Sequence, residues 1–64
     1  MPLGPMIKTL RIRRKMTQEQ LARRAKLSQA YIAQLERGDR ETPSLPALKR
    51  LAKALGVPVG RLLE

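Results

Sequence analysis

Between Ser28 and Gly38 the sequence SQAYIAQLERG sets two kinds of side chain on opposite sides of one helix. At about 100° per residue, Ile32, Leu35 and Glu36 point one way and Ala30, Gln34 and Arg37 the other. Gln29 projects from the exposed N-terminal end. A merely solvated helix more often carries Lys and Glu pairs on its outer face; this one carries glutamines and an alanine. A glutamine amide can bond both N6 and N7 of adenine, and an alanine methyl can sit against a thymine methyl. Arg37, at the helix end, suits a phosphate or a guanine. The chemistry open to this face is hydrogen bonding to base edges, with ordinary solvated polar residues as the alternative.

Other chemistries find no constellation of residues here. There is no His and no Cys, which excludes disulfides and the common zinc sites, and there is no Gly-rich phosphate loop. The acids are Glu19, Glu36, Asp39, Glu41 and Glu64. Glu19 falls on an exposed helix face and Glu36 on an inward one; the others fall in a loop or at the end. No two make an acid–base pair or a metal site. No enzymatic activity, metal or cofactor is therefore expected. Lys and Arg number 14 against 5 acidic residues, a net charge of +9, which draws the chain to polyanions. The plainer reading of that charge is a solvated surface.

The elements that must position these residues are helices. A chain of 64 residues makes one domain, 1–64, able to bury only about 60% of its unfolded surface. Phe and Trp are absent and Tyr31 is the one aromatic, so the core must be Leu, Ile, Val, Met and Ala. Gly4-Pro5 marks the first helix start, Pro being suited to the first helical position, and Ile7, Leu10, Arg11 and Arg14 then share a face. Thr17 with Gln20 forms a T-x-x-Q capping box that opens a second helix. Ser28 is a good N-cap for a third, which Gly38 ends. Asp39 to Pro43 is a polar loop. Ser44 caps a fourth helix whose Leu48, Leu51, Ala52 and Leu55 form an apolar stripe, and Gly56 stops it. Pro58 opens a short fifth carrying Val59, Leu62 and Leu63. No strand pattern, linker, internal repeat or low-complexity segment appears, so the fold class is all-α with five helices. Nothing resembles a signal peptide or a membrane span, and a cytoplasmic location without membrane partners is expected.

Only Lys26 and Leu27 separate the second and third helices, so Thr17 to Gly38 reads as two short helices crossing at a tight turn. Ala22 and Ala25 are small enough to let the helices approach, although Ala is also simply a favoured helix former. Arg11 follows Ile7 by four residues and Glu36 follows Ile32 by four, which carries both charges on inward sides. A lone charge there is costly. The economical arrangement is a structural ion pair pinning helix 1 to helix 3. The alternative is that each reaches solvent along its own stem.

The stretch TQEQLARRAKLSQAYIAQLERG resembles the helix-turn-helix of the Cro and phage-repressor-like (Xre) family of bacterial transcription regulators. The likeness runs upstream through I-K-T-L-R at Ile7 to Arg11. Downstream it takes in P-S-L-P-A-L-K-R-L-A-K-A-L-G-V from Pro43 to Val57 and then P-V-G-R-L-L. It covers nearly the whole chain, and the ordered set is far more specific than any one piece. The resemblance implies a lambda-repressor-like domain whose third helix enters the major groove of double-stranded DNA. It further implies a repressor that binds as a two-fold homodimer on a palindromic operator. By the same resemblance Ser28, Gln29, Ala30 and Gln34 read bases, Gln18 grips a phosphate, and Tyr31 and Arg40 touch the backbone. An Arg and a Glu at the places of Arg11 and Glu36 are also found in the family.

Many members have Gly where this chain has Lys26, so a positive φ there would cost on the order of 1 kcal/mol. Small domains of this fold also serve as antitoxins or as partners of other regulators, and fold alone does not separate these roles. Single-stranded RNA asks for aromatic platforms, for which one Tyr is poor provision. Val59, Leu62 and Leu63 offer more apolar surface than so small a core can take, and the C-terminal segment is the expected dimer contact.

Overall fold

Five α-helices run through the residues described by the computed structural model, 3–40 and 42–63. They are α1 (Leu3–Arg13), α2 (Gln18–Ala25), α3 (Gln29–Arg37), α4 (Leu45–Leu55) and α5 (Val59–Leu63), with no strand among the described residues. Glu41 and Glu64 lie outside them.

Each helix start has a local cause. The Thr17 hydroxyl oxygen accepts from the Gln20 backbone N–H at 3.1 Å, and the Gln20 side-chain oxygen accepts from the Thr17 N–H at 2.8 Å. That reciprocal box satisfies two donors the helix leaves orphaned. The Ser28 hydroxyl accepts from the Tyr31 N–H at 3.1 Å, and the Ser44 hydroxyl from the Ala47 N–H at 3.4 Å. At the other end of α3, Gly38 takes φ 81°, and the Asp39 N–H returns to the Gln34 carbonyl at 2.9 Å. Only glycine reaches that left-handed conformation without strain.

The first helix departs from the sequence expectation at both ends. It already includes Leu3, so Gly4 and Pro5 stand inside its first turn, where a missing N–H is harmless. Gly4 has a different duty: a Cβ there would meet the Leu35 carbonyl oxygen, and the Glu36 carbonyl oxygen at 3.0 Å. Backbone meets backbone where α1 crosses the end of α3. Arg14 does not continue the buried face. It lies exposed beyond the helix, just before the turn at Lys15 (φ 56°), and its guanidinium donates to the Gly56 carbonyl at 3.4 Å.

Ile7, Leu21, Ile32, Leu51 and Leu55 are the largest fully buried side chains. Leu10, Met16, Ala22, Ala25, Leu35, Leu48, Ala52 and Leu62 complete one cluster around them. Helix α2 packs against both α3 and α4, while α1 packs on α3 and α5. Each aliphatic side chain so buried contributes roughly 1.5–3 kcal/mol, enough together to hold a domain without aromatics in its centre. In α5 only Leu62 goes inward; Leu63 is 57% exposed.

The turn between α2 and α3 is tight, as the two-residue spacing predicts. Lys26 adopts φ 58° and ψ 43°, and the Leu27 N–H reaches back to the Ala22 carbonyl at 2.8 Å. The left-handed strain foreseen for a non-glycine residue is therefore present, on the order of 1 kcal/mol. Arg50 of α4 donates through Nε to the Ala25 carbonyl at 2.9 Å, adding a side-chain cap from another helix.

Candidate nucleic-acid interface

On α3 and at its N-cap, Ser28, Gln29, Ala30 and Arg37 are exposed, while Gln34 and Tyr31 are half-buried. Ile32 and Leu35 are buried on the opposite side. The outer face is therefore a short strip of hydroxyl, amide and methyl groups. Nothing on it needs to leave the surface for a flat or grooved partner to approach.

The phosphate candidates are held by neighbours. The Arg40 guanidinium carbon lies 4.8 Å from the centroid of the Tyr31 ring, so the loop after α3 folds back on the first turn of α3. Arg37 donates through Nε to the Asp39 carboxylate at 2.9 Å, with the two side chains 63% and 60% exposed. A surface pair of that kind is worth under about 1 kcal/mol, so a phosphate can displace the carboxylate. Gln18, the first residue of α2, is half-buried. Its Nε2 donates to Glu36 Oε1 at 3.1 Å, so one of its two amide N–H groups is spent inward.

Behind this surface, Arg11 and Glu36 meet. Arg11 Nε donates to Oε2 at 2.7 Å and Nη2 to Oε1 at 3.1 Å, a two-pronged pair with 12% and 3% of the side chains exposed. Arg11 Nη1 donates to the Met16 carbonyl at 2.8 Å. One carboxylate thus ties α1, α2 and α3 together, and among the described residues no buried side-chain polar atom lacks a partner. Such charge-assisted bonds fix geometry as well as adding energy.

Two participants escape sequence reasoning. The Gln18–Glu36 bond joins residues on different helices, and no local spacing announces it. Met16, buried beyond the stop of α1, has no periodic partners in the sequence. Among the described residues, no group of His, Cys, Asp or Glu could hold a metal ion, and no helix is long and apolar enough to cross a membrane.

The arrangement of caps, crossing helices and polar outer strip matches a known pattern over most of the chain. A family model described as helix-turn-helix matches residues 7–62. The chain belongs to this family. It is 48% identical over 63 residues to the immunity repressor protein of Bacillus phage phi105, across 98% of this chain and 43% of that protein. The restriction-modification controller protein C.AhdI from Aeromonas hydrophila superposes with a TM-score of 0.89 at 33% identity, covering 95% of this chain and 91% of that one. The biofilm master regulator SinR, solved in complex with DNA, gives a TM-score of 0.92 at 29% identity, covering 97% and 98%. This helix-turn-helix chain spans less than half the length of the phage repressor that it matches.

Proposed function

We propose that this helix-turn-helix chain is a sequence-specific, double-stranded-DNA-binding transcriptional regulator, a repressor, which inserts α3 into the major groove. The observation that carries the reading is the outer strip of α3, where Gln29, Ala30 and the part-exposed Gln34 stand clear of a core that uses the opposite face. A net charge of +9 supplies the attraction to a polyanion. Ser28, Gln29, Ala30 and Gln34 read base edges. Gln18 with its remaining amide N–H, Tyr31, Arg37 and Arg40 hold phosphates, which fixes register without reading sequence. The Arg11–Glu36 pair keeps the helices at the angle this requires.

The operator is palindromic and the chain binds it as a dimer, with both α3 helices about 34 Å apart, one turn of duplex. Selection of bound sequences from random duplexes tests the reading. A palindromic consensus with two half-sites one turn apart supports it; enrichment of no sequence overturns it.

A further inference from the structure

Arg24, Lys26, Arg50 and Lys53, together with Ala54, line one cleft of about 360 Å³. Two helices bring them together. Arg24 stands near the end of α2 and Lys26 in the turn beyond it, while Arg50 and Lys53 stand on α4, which packs against α2. Among the described residues none of the four is paired with a carboxylate. Like charges around one cleft repel one another, and a bound anion relieves that repulsion.

Two observations separate this cleft from the general excess of basic residues. Arg50 is anchored, since its Nε donates to the Ala25 carbonyl at 2.9 Å. Lys26 holds a left-handed φ of 58°, where glycine would be unstrained, so an exposed cation stands on a backbone position that resists any side chain. The turn carrying Lys26 leads directly into Ser28 and Gln29. A duplex seated on α3 carries its backbone past that turn, which makes phosphate the anion within reach.

We propose that this cleft seats phosphates of the duplex flanking the bases that α3 reads, and so extends the footprint beyond the half-site core. The proposal rests on the duplex-binding reading above. It adds a second phosphate contact, on the α2–α4 side, to those of Gln18 and Arg40.

The test titrates the full chain against two selected duplexes sharing one core, the first cut at the core and the second extended by about one turn at each end. Lys26→Gly and Lys53→Gln are compared with the original chain. Lys26→Gly removes the backbone strain, so it is expected to raise Tm while weakening binding to the long duplex. Each variant is expected to lower the magnitude of the log–log salt slope on the long duplex by about 0.9, with about a tenfold loss of affinity, and to leave the short duplex unaffected. Unchanged slopes on the long duplex overturn the proposal, as do equal losses on both duplexes. Variants that lose binding to polyglutamate but not to the long duplex would assign the cleft to carboxylates and also overturn it. If the original chain binds neither duplex, the duplex-binding reading itself fails, and this proposal with it.

Discussion

Glu36 accepts hydrogen bonds from Arg11 Nε, Arg11 Nη2 and Gln18 Nε2 while only 3% of its side chain is exposed. Removing Arg11 strands a buried carboxylate, and Arg11→Ala is expected to destabilise the domain by about 3–5 kcal/mol. The double change Arg11→Met with Glu36→Leu removes both charges and is expected to recover much of that loss. It also takes a donor from the Met16 carbonyl and an acceptor from Gln18, so recovery stays incomplete. Thermal melts of the single and double variants complete the cycle, and strictly additive losses would mean that the two residues do not act together.

At the groove face, Gln29→Ala and Gln34→Ala are expected to relax base preference, each costing roughly 1–3 kcal/mol on the selected operator. Arg40→Ala is expected to weaken all sequences alike and to lower the magnitude of the salt slope by about 0.9. Specificity profiles of the three variants separate the two roles; a changed base preference in Arg40→Ala would reverse the assignment.

Among the helices, α1 shows how tertiary geometry overrides local propensity. Alanine is favoured over glycine by about 1 kcal/mol inside a helix. At Gly4, however, a Cβ would meet the carbonyl oxygens of Leu35 and Glu36, which are backbone and cannot swing aside. Gly4→Ala is therefore expected to destabilise the domain by about 1–3 kcal/mol, as overpacking does, and urea unfolding measures it. A stabilised variant would mean that α1 can shift away from α3 freely.

The same contrast explains what the sequence reveals. Thr17, Ser28, Ser44, Gly38 and Gly56 act through bonds to residues a few positions away, so the limits of α2, α3 and α4 are legible without a structure. The inward charges of Arg11 and Glu36 follow from helical spacing in the same way. The role of Gly4, the burial of Met16, and the bonds of Gln18 to Glu36 and Arg50 to Ala25 depend on how helices cross. Periodicity along a single helix carries no record of those crossings. Arg14 marks the limit from the other side: its spacing extends the α1 stripe, yet the chain turns at Lys15 immediately after it.

In the assembled domain, apolar groups that the core cannot take remain outside. Leu63 is 57% exposed and Ile12 56%, on α5 and α1, which pack together. If this surface supplies the dimer contact, Leu63→Glu is expected to weaken binding to a full palindrome at least tenfold while leaving an isolated half-site unaffected. Sedimentation with and without the palindrome checks the accompanying stoichiometry. One copy per duplex, with half-site and palindrome bound equally, would remove dimerisation from the mechanism.

The most direct measurement is a titration of the selected operator and a scrambled duplex of equal length at several salt concentrations. Neutralising each phosphate contributes about −0.9 to the slope of log K against log salt, so a dimer touching roughly eight phosphates gives a slope near −7. The predicted result is that steep slope together with a clear preference for the operator at every salt concentration. Equal affinity for the two duplexes, or a binding constant indifferent to salt, would contradict the assignment of α3 as a reader of the major groove.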